Sequence, residues 1–305
     1  MRPFIVGFVW VIALFATATG AQTPAPAGPK AGALQAELTA QLARALERVA
    51  MGLDGVIGYV VTDLTTNERV AARLEREVFP TASAIKLSVL YELLKQVETG
   101  TLTLDTPAPV SRTQLVGGSG ILQHLTSASL SLRDHATLMM MVSDNSSTNV
   151  VIKAVGMDKV NARMAALGLG DIRLRRLMMD VAAVKRGDEN IASPQSLAKV
   201  AELLWRGEGL KPESRDIALG MLTLVSGSIR AAVPARVPVY SKTGSLDGVR
   251  TEAAVVAVDG RPFSIAVMTT YLAQDDQGSR VIGEMTTAAY SHFDRLAAST
   301  AYGRK

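Results

Sequence analysis

Cysteine is absent from the 305-residue sequence. Its absence excludes a thiol nucleophile, a disulfide framework, thiolate metal ligands and a lipidated cysteine anchor. Histidine occurs three times, at positions too scattered to form a metal-binding motif, and the sequence contains no His-Glu-x-x-His. We therefore expect neither a metal nor another cofactor, and we interpret His124, His135 and His292 as surface or helix-packing residues.

Aromatic residues and clustered charge are also scarce. Phe, Trp and Tyr make up 5% of the residues, and the formal net charge of +4 comes from lysines and arginines spread along the chain. Nucleic-acid channels combine clustered positive charge with stacking rings, so the composition argues against a nucleic-acid partner. We interpret the densest basic stretch, residues 173–176, as a solvated face or an ion-pair site.

The amino-terminal residues have the features of an export signal. One arginine precedes an apolar run that ends in small residues before Gln22. The run is shorter than the ~20 residues of a bilayer span, which favours a cleaved signal peptide over residues 1–21. Residues 22–32 are rich in proline, alanine and glycine and predict a flexible tether. We expect an exported protein, periplasmic or secreted, with no membrane association after cleavage.

The hydropathy pattern predicts one folded domain over residues 33–300. Hydrophobic residues make up 48% of the chain, enough for a large core. Strand patterns occur at residues 55–75, 236–244, 251–258 and 263–272. Helical patterns occur at residues 33–51, 83–98, 132–142, 148–155, 157–167, 194–206, 212–224 and 279–296. This order predicts an α/β (α+β) fold: one sheet from residues 33–80 and 225–300, with a helical subdomain over 81–224.

A serine and a lysine mark the start of the second predicted helix. In FPTASAIKLSVL, residues 79–90, Ser83 and Lys86 are one helical turn apart and should share a face. A lysine that is desolvated near other positive groups loses its proton more readily and can act as a base. The pattern is weak alone, because Ser196 and Lys199 also match it. That second match lies inside a predicted helix, and we interpret it as structural.

Two further polar motifs follow in order. VSDNSSTN, residues 142–149, supplies Ser143 and Asn145 at a break between predicted helices, and YSKTGS, residues 240–245, supplies Lys242 on a predicted strand. A second Ser-x-Asn match at residues 147–149 leaves the middle motif ambiguous by itself. The ordered set of three is specific. No Gly-x-Ser-x-Gly sequence is present, so an α/β-hydrolase triad is not supported.

The ordered set resembles the signature shared by class A β-lactamases and penicillin-binding proteins. The segments GSGILQHL, SLRDHATLMMMVSDNSSTNVVIKAVG and KTGSLDGVRTEAAVV look like relatives of class A enzymes, and the resemblance covers residues 34–296. It implies the serine β-lactamase/DD-peptidase-like fold, with an antiparallel sheet, an all-helical subdomain and the active site between them. It also implies a monomeric hydrolase of β-lactams or peptidoglycan-like substrates, and β-lactamase activity would confer antibiotic resistance.

The resemblance implies roles in acylation for five residues. Ser83 would be the nucleophile, and Lys86 would accept or relay its proton. Ser143 would pass a proton to the leaving nitrogen, and Lys242 would bias that transfer. Asn145 would hold the side-chain amide of the substrate.

The resemblance also implies a set of binding groups around the acylated carbonyl. Backbone amides of Ser83 and Ser245 would form the oxyanion hole, where each donor is typically worth a few kcal/mol. Thr243, Gly244, Ser245 and Arg250 would bind the substrate, and a guanidinium matches the planar carboxylate well.

One position departs from the family pattern. Class A β-lactamases have a loop glutamate that activates the deacylating water, and here Met178 aligns with it. Ala182 likewise stands where an asparagine is expected. Asp180 and Glu189 are the nearest carboxylates that could substitute as the base, although Asp180 could equally tie the loop to a neighbouring arginine. Lys86 itself is the third candidate for the deacylating base.

Three functions remain open at this stage, and the sequence favours the first of them. The first is a β-lactamase with an altered deacylation apparatus. The second is a D-Ala-D-Ala peptidase, which needs no loop glutamate. The third is a penicillin-binding module that is acylated and stays acylated.

Overall fold

The computed structural model describes residues 1, 32–300 and 302–305. The predicted signal peptide and tether, apart from their end residues Met1 and Gly32, therefore lie outside the described residues. Within those residues, no helix has the combination of length and hydropathy needed to cross a membrane.

A five-stranded antiparallel sheet is built from both ends of the chain. The strands in chain order are β1 (Val56–Asp63), β2 (Glu68–Arg73), β3 (Phe79–Pro80), β4 (Pro107–Val110), β5 (Ala128–Ser131), β6 (Ile191–Ala192), β7 (Val239–Leu246), β8 (Val249–Val256) and β9 (Phe263–Thr270). The large sheet has the order β2-β1-β9-β8-β7, so β7, which carries the Lys-Thr-Gly motif, is an edge strand. The predicted sheet is confirmed, and the pairs β3-β6 and β4-β5 form two separate two-stranded sheets that were not predicted.

Ten α-helices are present within the described residues. They are α1 (Ala33–Met51), α2 (Lys86–Glu98), α3 (Leu132–Met141), α4 (Asn145–Val155), α5 (Met157–Ala166), α6 (Val181–Lys185), α7 (Pro194–Arg206), α8 (Pro212–Leu222), α9 (Ser228–Ala231) and α10 (Asp275–Ala297). The bounds of α7 match the prediction because a capping serine and a glycine indicate its two ends in the sequence. Ser193 caps the first turn by accepting from the Ser196 amide at 3.2 Å, and Gly207 ends the helix with a φ of 71°.

Three helix starts differ from the prediction, and that of α2 is described with the active site. Helix α4 begins at Asn145 because the Asp144 carboxylate accepts from the Ser147 amide at 2.8 Å and caps it. Helix α10 begins at Asp275, upstream of the apolar pattern. Its first turn contains acidic residues, which the positive end of a helix favours, and these carry no hydrophobic signal.

The sheet separates two hydrophobic cores. Val60 faces the core formed with α2 and α7, whereas Val61 faces the core formed with α1 and α10. Successive side chains of a strand point to opposite faces, so β1 is apolar along both. In the second core the rings of Phe263 and Phe293 stack with centroids 4.5 Å apart. The sheet is thus fixed on both faces, and its edge strand β7 is held firmly for the site described next.

Candidate active site

Ser83 lies on a short 3₁₀ turn, Ala82–Ile85, that immediately precedes α2. The α-helix itself begins at Lys86, so the predicted helix start at Ser83 is wrong by one turn. Ala82 has a φ of 47°, a left-handed conformation that alanine rarely adopts, and this prevents the helix from extending upstream. Strained backbone of this kind concentrates at functional sites. Ser83 is half-buried and lines a cavity of about 110 Å³.

Lys86 is completely buried at the base of the site. Its Nζ donates to the Ser143 carbonyl oxygen at 2.8 Å, to Ser143 Oγ at 2.9 Å and to Asn145 Oδ1 at 3.2 Å. Burial holds the pKa of Lys86 well below its ordinary value; the positive charge of Lys242 lowers that pKa further, and Asp144 opposes the shift. A neutral amine at this position can accept a proton from a neighbouring hydroxyl.

Ser143 connects the two buried lysines. It lies between α3 and α4 with a φ of 55°, and its Oγ accepts from Lys242 Nζ at 3.2 Å as well as from Lys86. Lys242 Nζ also donates to the Thr243 carbonyl oxygen at 2.9 Å. Burial lowers the pKa of Lys242 to about 8, and the charge of Glu252 limits this shift. Ser143 Oγ can therefore exchange a proton with either amine.

The pKa of Lys86 predicts the shape of the pH profile of acylation. Only the neutral amine accepts a proton from Ser83, so the rate should fall about tenfold per pH unit below the pKa of Lys86. Because burial lowers that pKa, the limb should lie well below the ordinary value of 10.5. Acylation rates measured by intact mass across pH test this. A limb centred near 10.5 would mean that Lys86 behaves as an exposed lysine, contrary to the structure.

Gly244 allows β7 to pass directly against the turn that carries Ser83. A Cβ at this position would overlap the Thr81 carbonyl oxygen and lie 3.0 Å from the Ala84 amide nitrogen. The Thr251 hydroxyl, on the neighbouring strand, donates to the same Thr81 oxygen at 2.8 Å. The close approach brings Ser245 into the cavity that Ser83 lines.

Gly244→Ala should therefore both destabilise the protein and slow acylation. The added Cβ would overlap backbone atoms, which cannot move away by a side-chain rotation. Overpacking of this kind typically lowers the free energy of unfolding by about 1–3 kcal/mol. Chemical denaturation and the acylation rate measure the two effects. Gly220→Ala is the matched control, because a Cβ at Gly220 in α8 meets nothing within 4 Å. Wild-type stability and reactivity in Gly244→Ala would refute the assignment of this contact.

The loop after α5 brings Met178 to the cavity. The Asn149 side chain binds both backbone groups of Met178: Met178 N donates to Oδ1 at 2.8 Å, and Nδ2 donates to the Met178 oxygen at 3.1 Å. Met178 and Met179 both line the cavity, and Met179 has a φ of 63°. Asn149 belongs to the second Ser-x-Asn match, so that match has a structural role in positioning the loop.

The two carboxylates predicted as substitute bases are engaged elsewhere. Asp180 caps α6 by accepting from the Ala183 amide at 3.0 Å, and the expected tie between Asp180 and an arginine is not formed within the described chain. Glu189 makes that ion pair instead, with Arg176 at 2.9 Å. Neither carboxylate is among the described residues that line the cavity. Glu189 is nevertheless one contact away from the cavity, because its partner Arg176 lines it.

Arg250 also lies outside the cavity lining. Its guanidinium donates to the carbonyl oxygens of Leu246 and Val249, both at 2.8 Å, and pairs with Asp275 at 3.1 Å. These contacts hold the β7-β8 turn against the start of α10. A role for Arg250 in binding the substrate would have to use the N–H groups that these contacts leave free.

The other polar residues of interest from the sequence have structural contacts. Ser196 lies in α7 and donates to Asp171 at 2.6 Å, while Lys199 pairs with Glu208 at 3.1 Å. His135 is buried, with one ring nitrogen 3.1 Å from Ser147 Oγ.

Sequence reasoning did not identify three buried polar residues around the site. They are Asn149, Asn190 and Glu252. Asn190 Oδ1 accepts from the amides of Arg175 and Arg176, at 2.7 and 3.1 Å. Of the three, Asn149 alone was marked in the sequence, because it ends the second Ser-x-Asn match. It lies one helical turn after Asn145 in α4.

Comparisons with known proteins agree with this arrangement. A model described as the beta-lactamase enzyme family matches residues 41–293. Beta-lactamase Toho-2 of Escherichia coli is 29% identical over 230 residues, covering 74% of this chain and 78% of that protein. Beta-lactamase AST-1 of Nocardia asteroides is 30% identical, covering 72% and 73%. A leucine-to-glutamate variant of PBP-A, solved as an acyl-enzyme complex with penicillin G, is 25% identical with a TM-score of 0.75, covering 85% and 97%.

Proposed function

Because the chain belongs to the beta-lactamase enzyme family and is a serine hydrolase, we propose that it opens β-lactam rings through an acyl-enzyme on Ser83. The observation that carries this proposal is the pair of buried lysines that are linked through Ser143, with Lys86 one helical turn after Ser83. Both donate to the hydroxyl of Ser143, from 2.9 and 3.2 Å. This arrangement supplies a proton acceptor for the nucleophile and a proton donor for the leaving nitrogen.

Acylation then proceeds with three linked proton transfers. Ser83 Oγ attacks the lactam carbonyl carbon as its proton passes to the neutral amine of Lys86. The carbonyl oxygen becomes an oxyanion, which the backbone amides of Ser83 and Ser245 stabilise. When the C–N bond breaks, Ser143 gives its proton to the ring nitrogen and recovers one from Lys86. Lys242 keeps positive charge beside Ser143 during this transfer.

We propose that hydrolysis of the acyl-enzyme is slow. Met178 cannot act as a base, and none of the described residues lining the cavity is a carboxylate. The roles proposed from the sequence for Asp180 and Glu189 would require each to leave its present partner. General-base catalysis typically contributes about 10²–10⁴-fold, so its loss would let the adduct accumulate.

A D-Ala-D-Ala peptidase is the second candidate, favoured by the same Met178. A peptidase uses the acylation groups but attacks a peptide carbonyl, with D-alanine as the leaving group. Release of D-alanine from a peptide ending in D-Ala-D-Ala, measured beside β-lactam hydrolysis, separates the candidates. Acylation of a PBP-A variant by penicillin G is compatible with either one.

We further propose that residues 33–300 form one catalytic domain, monomeric and exported to the periplasm or medium. The sheet subdomain would comprise residues 33–80 and 225–300, and the helical subdomain residues 81–224. Thr243, Gly244 and Ser245 would bind the substrate carboxylate along β7, and Asn145 would bind its amide.

The proposed acylation is tested by incubating the purified protein with benzylpenicillin. Intact mass should rise by the mass of the intact antibiotic, and digestion should locate the adduct in the peptide that contains Ser83. A protein whose mass is unchanged, with no loss of antibiotic, would refute the proposal.

A further inference from the structure

The side chain of Met179 forms one wall of the cavity that Ser83 lines. A Cβ placed on Gly118, which also lines the cavity, would lie 3.0 Å from Met179 Sδ and 3.7 Å from Met179 Cε. The Met179 thioether therefore occupies the space that a side chain at position 118 would need. Met179 belongs to the loop after α5, whereas Gly118 belongs to the loop before β5, so two separate loops meet at this contact.

The contact between these loops lies beside the side-chain amide of Asn145. The same Cβ on Gly118 would be 2.7 Å from Asn145 Nδ2, which donates to the Gly117 carbonyl oxygen at 3.0 Å. Asn145 is the residue that we propose to bind the amide of the substrate, and the acyl substituent of a penicillin extends from that amide. The Met179 thioether thus lies at the end of the cavity that the substituent would enter.

The cavity is small for a whole β-lactam antibiotic. Its volume is about 110 Å³, whereas pockets for drug-sized ligands usually enclose about 300–1,000 Å³. Several parts of its lining are held in place. Met178, for example, is 6% exposed, and both of its backbone groups are bound by Asn149. Entry of a large substituent therefore requires another side chain of the lining to move.

Met179 is the side chain of the lining that can move most easily. It is 47% exposed, and an unbranched thioether side chain adapts readily to its surroundings. The backbone of Met179 is held on both sides, because Asn149 binds Met178 and the Met179 carbonyl oxygen accepts from the Val181 amide at 3.0 Å. Rotation of the Met179 side chain is thus the movement that would enlarge the cavity.

We propose that Met179 is a specificity-determining residue whose thioether covers the substituent end of the cavity and disfavours β-lactams with bulky acyl substituents. The inference rests on the proposed acylation of Ser83. A β-lactam without a substituent leaves the thioether in place, whereas a bulky substituent has to displace it from its contact with Gly118. Met179 has no proton to exchange, so its effect should depend on the size of the substituent rather than on pH.

The experiment measures second-order rate constants of acylation by two penicillins, followed by intact mass. 6-Aminopenicillanic acid has a free amine in place of the acylated one, whereas piperacillin carries a bulky acyl substituent. Dividing the piperacillin constant by the 6-aminopenicillanic acid constant cancels effects on the shared chemistry. In Met179→Ala this ratio should rise by on the order of tenfold, the discrimination that a small change of volume typically produces in an apolar pocket.

Two further variants serve as controls. Met179→Leu keeps most of the side-chain volume and should hold the ratio near its wild-type value. Met51→Ala removes another exposed methionine, 70% exposed at the end of α1 and absent from the cavity lining, and should leave the ratio unchanged. Melting temperatures of all variants establish that each is folded. If Met179→Ala does not fold, Met179→Gly replaces it, because glycine adopts the φ of 63° without strain.

Two outcomes would overturn the inference. An unchanged ratio in the folded Met179→Ala or Met179→Gly variant would show that the thioether does not restrict the substituent. A lower ratio would show that Met179 attracts the substituent instead of excluding it.

Failure of the proposed function has a different signature. In that case the wild-type protein forms no adduct with either penicillin, and the inference falls with it. A wild-type protein that is acylated on Ser83, together with an unaltered ratio in Met179→Ala, removes only the inference.

Discussion

Ser83→Ala should abolish acylation and hydrolysis of β-lactams together. The hydroxyl is the only group proposed to form a bond to the lactam carbonyl, and no other hydroxyl takes its position on the turn Ala82–Ile85. Loss of a serine nucleophile costs on the order of 10⁶-fold in turnover in a well-studied protease. Intact mass after exposure to benzylpenicillin and the rate of hydrolysis measure both losses.

Ser196→Ala is the matched control for this prediction. Ser196 is the serine of the other Ser-x-x-Lys match, but it lies in α7 and donates to Asp171 at 2.6 Å. Its loss should lower the melting temperature and leave the adduct on Ser83 intact. An adduct of equal yield in Ser83→Ala would place the nucleophile elsewhere and refute the account.

Met178→Glu should accelerate the hydrolysis of the acyl-enzyme. Asn149 fixes the backbone of Met178 through two hydrogen bonds, so a glutamate there would extend from a defined position beside the cavity. A general base typically adds about 10²–10⁴-fold. Decay of the adduct, followed by intact mass after removal of free antibiotic, measures the gain. Acylation should change little because Lys86 and Ser143 are unaltered.

Met178→Gln controls for side-chain shape and polarity. Glutamine has nearly the same size as glutamate but cannot accept a proton at neutral pH. Both variants should lose some stability, since each buries a polar group at a position where Met178 is 6% exposed. Equal decay rates for the glutamate and glutamine variants would show that the missing base does not limit deacylation.

The sheet and the order of the three motifs were predictable from the sequence. Lys242 lies on β7, and Ser143 lies at the break between α3 and α4, as predicted. These elements carry strong local signals, alternation in strands and helical periodicity in helices. Each of the three motifs contributes one residue, Lys86, Ser143 or Lys242. In the structure, hydrogen bonds to Ser143 Oγ join the side chains of these residues.

The details that set the chemistry were not predictable in the same way. Ala82 lies on the turn that packs against β7, and alanine itself gives no signal for its left-handed conformation. Arg250 pairs with Asp275 at the start of α10, which is far away in the sequence. The residues around Arg250 in the sequence therefore do not indicate this ion pair. In the sequence, Glu252 is indistinguishable from an ordinary polar residue of a strand. Only the position of α9 makes it a buried carboxylate.

The most direct test of the account is a time course of the purified protein with a chromogenic cephalosporin, with intact mass measured at the same time points. The account predicts a burst of product close to one equivalent of protein, followed by slow turnover while most of the protein carries an adduct on Ser83. Sustained rapid turnover with the protein remaining unmodified would contradict it, because an efficient deacylating base would then have to exist despite Met178.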